Sequence, residues 1–372
     1  MKTRAAVVLS APGKYETVEV DLDDPRPNEV LVKMVAAGLC HSDDHVATGD
    51  IPVPVFPFAG GHEGAGVVVE VGSAVTGIEP GDHVVFSFLP GCGRCRFCAR
   101  GQQNLCDDGA TVLLGSRIGD PTSFRMHLDG QPVAQMSGVS AFAEHSLVDQ
   151  KSCVKIPMDI PLETACLTGC AVGTGWGSAV HLADLFPGDT AIVMGIGGIG
   201  INAVQGAKHK GALNVIAVDP VPFKRHKALE LGATHACESM EEAAELARSF
   251  TNGQGADAAI ITTGITTGEH VAQGFAAIRK GGTTVVTGMG PLTAVGIPIS
   301  PAELTLFQKR LQGALFGGCS PSVDILRQLE LYRGGLLRLD EEITNTYTLD
   351  EVAKGYEDMH EGRNLRGVVL FN

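Results

Sequence analysis

Between residues 190 and 219 the chain reads as an apolar run, a glycine turn, a helix-like segment, a second apolar run and an aspartate: "TAIVM", "GIGGIG", Ile201 to Lys210, "LNVIAVD". Gly195, Gly197 and Gly200 keep the spacing G-x-G-x-x-G. That spacing alone also fits any turn in which a strand reverses quickly. Here it follows a strand, opens a helix and stands nineteen residues ahead of Asp219, a context that suits the cradle of a dinucleotide pyrophosphate. Gly195 allows the tight turn, Gly197 lets backbone approach the phosphates, and Gly200 lets helix and strand pack closely. Gly198 and Ile199 complete the expected cofactor contacts at a helix N-terminus whose dipole favours an anion. Asp219 is expected to accept hydrogen bonds from the adenosine ribose and to repel a 2′-phosphate, which selects NAD over NADP. Its competing reading is an exposed turn residue before Pro220.

The same texture continues. "DAAIITTG", "TTVVTG" and "LQGALFG" read as further strands, separated by the helices "EEAAELARSF" and "EHVAQGFAAIRKG", so the region from about residue 188 predicts a parallel sheet with helices on both faces. Before residue 150, short strands broken by Gly and Pro, such as "EVLVKMVAAG" and "EGAGVVVEVG", predict a mostly antiparallel β domain. A helix "SVDILRQLELYRGG" and a strand "RGVVLFN" follow residue 316. A length of 372 residues suits two or three domains.

Composition excludes several partners. A net charge of −14 offers no basic field for nucleic acid or an anionic membrane surface. No run approaches the 18 apolar residues of a membrane span, and the basic, apolar opening "MKTRAAVVLSAPGKYE" reads as a first strand rather than an export signal. Reduced cysteines and the lack of an export signal point to the cytoplasm.

Four of the ten cysteines crowd into "GCGRCRFCARGQQNLC": Cys92, Cys95, Cys98 and Cys106. Disulfides suit small secreted chains that cannot bury a core, and this chain is large and 44% apolar. Four thiolates in one loop fit a closed, structural zinc site, with a four-cysteine iron–sulfur cluster as the competing reading. Three further candidate ligands lie far apart in sequence: Cys40 in "GLCHSDDH", His62 in "GGHEGAG" and Cys170 in "TGCAVGTGWG". Two cysteines and a histidine would leave a catalytic zinc one open position. Spacing alone equally allows two buried thiols and a core histidine.

Together these segments resemble the zinc-dependent medium-chain alcohol dehydrogenases, from the first strand to "LRGVVLF", with "GHEGAGVVVEVGSAV" matching that family's zinc signature. The resemblance is strongest to the dimethylnitrosoaniline-dependent, nicotinoprotein branch, through "MKTRAAV", "GLCHSDDHVATGD", the cysteine loop and "SFRMHLDGQ". It implies an α/β architecture: a GroES-like, β-rich catalytic domain over residues 1–171, a doubly wound Rossmann domain over 172–315, and a return segment over 316–372 that completes the first. It implies a structural zinc on Cys92, Cys95, Cys98 and Cys106 and a catalytic zinc on Cys40, His62 and Cys170.

It also implies hydride transfer from a small alcohol to NAD. In the nicotinoprotein branch the cofactor stays bound and is recycled by a second substrate. Ser42 then takes the substrate proton, and His45 forms the outer end of a relay through the nicotinamide ribose. Their competing readings are a helix N-cap and a surface histidine. Glu63 resembles a carboxylate that tunes the metal. His41 stands where the family often has an arginine near the pyrophosphate. Thr174 is placed near the nicotinamide, Lys224 at the adenosine and Arg366 at the pyrophosphate, and Phe88 is either a wall of the substrate pocket or a core phenylalanine. A homo-oligomer, dimer or tetramer, is expected. Two rival functions remain: a formaldehyde dehydrogenase acting on a glutathione or mycothiol adduct, and a non-catalytic zinc protein on the same scaffold. Glutathione-type members of the first usually have an arginine four residues after the last cysteine of the loop, where this chain has Ala110, and a tyrosine at His45; neither difference bears on mycothiol.

Overall fold

In a computed structural model, which describes residues 1–371, the apolar run Thr190–Met194 becomes an inner strand of a six-stranded parallel sheet. Its order is His235–Cys237, Asn214–Val218, Thr190–Met194, Ala256–Ile261, Ile278–Val286, Arg310–Gly313. Ala191, Ile192 and Val193 are wholly buried, as a strand covered on both faces requires. The strand order reverses direction beside Thr190–Met194, so the glycine turn that follows lies at the topological switch point, where open α/β sheets bind ligands. The helices Ala171–Gly177 and Gly198–His209 meet backbone to backbone: a Cβ on Gly175 would come within 2.0 Å of the Ile199 carbonyl oxygen.

One expected helix is too long. It ends at Ala277, and "IRKG" opens the strand Ile278–Val286. Gly281, at φ +71, takes a backbone conformation that interrupts a helix, and Arg279 pairs with Asp257 on the neighbouring strand.

The other unit is β-rich. Lys2–Val8, Glu16–Leu22, Met126–Leu128, Gln131–Gln135 and Phe58–Ala59 close a small barrel, so the opening segment is a strand. A second sheet runs Cys153–Ile156, His83–Phe86, Glu63–Val71, Glu29–Gly38, Arg366–Leu370, Ile343–Tyr347, and His145–Asp149 pairs with Glu29–Gly38. Ile343–Tyr347 and the helix Val352–His360 are elements that patterning did not single out. Val32, Met34, Phe86, Phe142 and Tyr356 fill the core beneath this sheet.

The compact units comprise Met1–Cys170 with Ser320–Gly335 and Leu339 onward, and Ala171–Cys319 with Leu336–Arg338. The chain therefore re-enters the first unit at Ser320 rather than at 316. Phe316 belongs with the second unit because its ring packs on Gly173, where a Cβ would lie 2.6 Å from it.

Candidate metal centres and cofactor loop

Strand pairing explains how Cys40 meets His62. Gly38, at the end of Glu29–Gly38, pairs antiparallel with Glu63, at the start of Glu63–Val71. Cys40 lies two residues past one strand end and His62 one residue before the other. Cys170 closes a short 3-10 turn, Cys166–Gly169. Ligand atoms of Cys40, His62, Glu63 and Cys170 all lie within 4.8 Å of one another, and all four residues are buried. Gly38 has no room for a side chain, because a Cβ would meet Glu63 Oε2 at 2.3 Å and Arg366 Nη2 at 2.8 Å.

The orientation of His62 comes from a residue the sequence reading passed over. Asp43 is wholly buried on the helix His41–Thr48; its Oδ1 accepts a hydrogen bond from the Gly61 amide at 2.7 Å, and its Oδ2 faces His62 Nδ1 at 2.9 Å. With Nδ1 turned to Asp43, Nε2 is left as the ligand atom, the arrangement that metal-binding histidines use. Glu63, expected to tune the metal, accepts from Arg366 Nη2 in a fully buried pair. Arg366, expected at a pyrophosphate, stands at the base of the metal set with its Nη2 on Glu63.

The electrostatics suit a dication. A hydrogen bond shared with Cys170, together with the nearby His62 and Arg366, draws the Cys40 thiol well below its ordinary range. The Cys170 thiol is pushed well above its range by that hydrogen bond, by burial and by the Cys40 charge. A second thiolate here calls for a compensating cation. Burial pushes the Glu63 carboxyl up to about 8, against the pull of Arg366.

The four-cysteine loop is also assembled. Cys92 Sγ and Cys98 Sγ are 3.9 Å apart, Cys95 Sγ and Cys106 Sγ 4.0 Å, and all four sulfurs lie within 4.8 Å of one another. A disulfide would need roughly 2.05 Å. Tetrahedral sulfurs about 2.3 Å from a zinc would stand about 3.8 Å apart, so the set fits zinc. Hydrogen bonds from the backbone, Cys98 and Asp107 foremost, hold the Cys95 thiol down to about 6, and burial pushes Cys98 up to about 12. Gln103 fastens the loop: its Oε1 accepts from the Ser322 amide at 3.1 Å and hydroxyl at 2.8 Å.

Ser42 and His45 lie three residues apart on the helix His41–Thr48, on one face of it. Ser42 is its second residue, with Cys40 at the N-cap position, so the N-cap reading fails. Ser42 Oγ is 3.9 Å from Cys40 Sγ. His45 is 7% exposed, which ends its reading as a surface residue. The His41 ring lies 6.1 Å from that of His45, and the Phe88 ring meets His62 edge-on at 5.6 Å, beside the metal set rather than in a distant core.

In the other unit the three glycines differ in what they permit. Gly195 has φ +91, and a Cβ there would meet Thr263 at 2.9 Å; on Gly200 it would meet the Gly195 carbonyl oxygen at 1.9 Å. A Cβ on Gly197 would touch nothing within 4 Å. That open space above a helix N-terminus fits a pyrophosphate beside Gly198 and Ile199, which open the helix. Asp219 is buried, not an exposed turn residue. Its Oδ2 accepts from the Ile196 amide at 2.7 Å and its Oδ1 from Val221 at 2.9 Å, so it fastens the loop itself. Arg225, another residue missed in sequence, donates to the Asp219 and Pro220 carbonyls at 2.7 and 2.9 Å. Lys224 is half-buried on the helix Pro222–Glu230, and Thr174 is buried on Ala171–Gly177.

Two family models match the chain: an alcohol dehydrogenase GroES-like domain over residues 26–158 and a zinc-binding dehydrogenase domain over 198–330. Across its whole length the chain is 52% identical to an NDMA-dependent alcohol dehydrogenase of Amycolatopsis methanolica, 99% of which is covered. It is 51% identical to the putative alcohol dehydrogenase D of Mycobacterium tuberculosis, with both chains fully covered. Among solved structures, an alcohol dehydrogenase zinc-binding domain protein from Burkholderia ambifaria superposes with a TM-score of 0.93 at 32% identity, over 100% of this chain and 99% of that one. With the glycine cradle and both cysteine-bearing donor sets in place, these matches show that the chain belongs to the zinc-dependent medium-chain alcohol dehydrogenases.

Proposed function

We propose that the protein oxidises primary or other small alcohols to aldehydes, or runs the reverse, with its NAD(H) kept bound and recycled by a second substrate. The observation that carries this reading is the buried Cys40, His62 and Cys170 donor set with the Ser42 hydroxyl beside it. When bound, zinc supplies a Lewis acid for the alcohol oxygen and NAD an acceptor for the hydride. The chain does the rest. Cys40 and Cys170 bring the negative charge that holds the metal, and Asp43 keeps the His62 ring in place. Phe88, beside His62, borders the alcohol, and Thr174 the nicotinamide. Ser42 takes the hydroxyl proton, and His45, one turn on, receives it. Cys92, Cys95, Cys98 and Cys106 hold a second zinc with a structural role. Gly195, Gly197, Gly198, Ile199, Gly200 and Asp219 bind the cofactor, assisted by Lys224, His41 and Arg366.

Retention of NAD(H) is supported by the likeness to the NDMA-dependent relative, and physically it needs only a cofactor off-rate slower than turnover. A homo-oligomer is supported by the edge strand Arg310–Gly313, flanked by exposed Leu304, Leu306, Phe307 and Leu315. A cytoplasmic setting suits two donor sets that need reduced thiols. Among the described residues, no helix is long and apolar enough to cross a membrane.

Extensively dialysed enzyme given benzyl alcohol and dimethylnitrosoaniline, with no NAD added, should reduce the nitroso dye, and heat should release stoichiometric NAD(H). Enzyme that stays inert until NAD is supplied overturns the retention. Turnover of formaldehyde only in the presence of glutathione or mycothiol would favour the thiol-adduct dehydrogenase.

A further inference from the structure

The helix carrying Ser42 and His45 ends at Gly49, whose φ of +89 turns the chain back so that the Ile51 amide bonds the His45 carbonyl oxygen at 2.9 Å. That left-handed cap brings Asp50 alongside the ring of His45. His45 Nδ1 lies 3.3 Å from Asp50 Oδ2, and the same oxygen accepts from Thr48 Oγ1 at 2.7 Å. The imidazole is almost wholly buried, whereas the Asp50 side chain is 46% exposed.

From this geometry we infer that Asp50 is the positioning residue of the proton relay: it fixes the His45 tautomer and supplies the counter-charge at the solvent edge. An ionised carboxylate can only accept, so the ring nitrogen facing it must carry hydrogen. That leaves Nε2 with the lone pair, the atom able to take a proton. One proton enters at Nε2 and makes the ring an imidazolium beside the Asp50 carboxylate; one proton then leaves the pair to water or a buffer base. No electrons move in this step. Hydrogen bonds from Thr48 and then His45 hold the Asp50 carboxyl below its ordinary range, which keeps it an acceptor. His41, on the same helix, also lies beside His45, 6.1 Å ring to ring.

The inference rests on the relay reading of Ser42 and His45, and a double-mutant cycle separates the two. Asp50→Asn should lower alcohol turnover by about tenfold, the scale on which the outer partner of a functional histidine acts, with KM and bound NAD(H) unchanged. Asp50→Glu should restore most of the loss. Added to His45→Gln, Asp50→Asn should have no further effect, because its only route to the reaction is through that ring. An equal loss in the His45→Gln background, or a loss tracked by a lower melting temperature that Asp50→Glu does not repair, overturns the positioning role. Full turnover of His45→Gln by itself would overturn the relay reading instead.

Discussion

Ser42 is the residue whose removal tests the proton path most simply. Its hydroxyl lies beside Cys40, and nothing in an alanine could take a proton from the alcohol. Ser42→Ala should lower turnover by about 10²–10⁴-fold while metal and NAD(H) contents hold, measured by steady-state kinetics and cofactor release. Near-normal turnover would remove Ser42 from the mechanism. Cys40, His62 and Cys170 were legible in sequence because each sits inside a recognisable signature. Asp43 and Asp50 were not, although they lie in the same quoted segment. A carboxylate three residues after a cysteine acquires meaning only when Gly61, at φ +87, brings His62 against it. Asp50 acquires it only through the left-handed Gly49. Arg366 shows the converse: its position in the motif was readable, its burial against Glu63 was not.

Among the secondary-structure elements, the glycine loop separates two uses of the same residue. Gly200→Ala would drive a Cβ into the Gly195 carbonyl, so it should destabilise the sheet-and-helix unit and abolish NAD(H) binding together. Gly197→Ala should leave the melting temperature within a few degrees and still strip the protein of NAD(H), because the methyl meets only the cofactor's space. A Gly197→Ala protein that keeps its full cofactor would refute the cradle. The second element test concerns the start of the strand Glu29–Gly38. Glu29 Oε1 accepts from Arg117 Nε at 2.9 Å and Arg125 Nε at 2.7 Å, and Oε2 accepts from the Arg26 amide at 3.0 Å. Burial alone would raise the Glu29 carboxyl, but Arg125, Arg117 and the Arg26 amide together bring it below the ordinary range. A depressed carboxyl stabilises the fold above its unfolded pKa of about 4.3 and loses that contribution as pH falls through the lower folded value. Glu29→Gln should therefore cost about 3 kcal/mol at neutral pH, by leaving two buried guanidinium groups undercompensated. Urea melts should show the gap to wild type closing at acid pH; a pH-independent gap would show that the charge of Glu29 is not what matters. Periodicity placed this strand correctly, but no local pattern announces that Arg117 and Arg125, about ninety residues on, share its first carboxylate.

For the whole molecule, the alternation of strands and helices after residue 188 and the broken strands before residue 150 were enough to distinguish two architectures. The parallel strand Ile343–Tyr347 was missed because its polar residues, "ITNTY", give no apolar run. What joins fold to activity is the division of labour between two donor sets, one in a loop fastened to the helix Pro321–Arg333 and one at the converging ends of two strands. Replacing Cys98 should cost the fold, since a structural zinc contributes folding energy directly. Replacing Cys170 removes a ligand from a site whose surrounding strands are held by their own core. The most direct measurement is metal content and alcohol turnover of Cys170→Ser beside wild type. Wild-type protein should carry two zinc ions per chain and the variant one, with turnover abolished, the melting temperature little changed and NAD(H) still bound. A variant that retains both zinc ions, or one that loses a zinc and still oxidises alcohol, would contradict that division of labour.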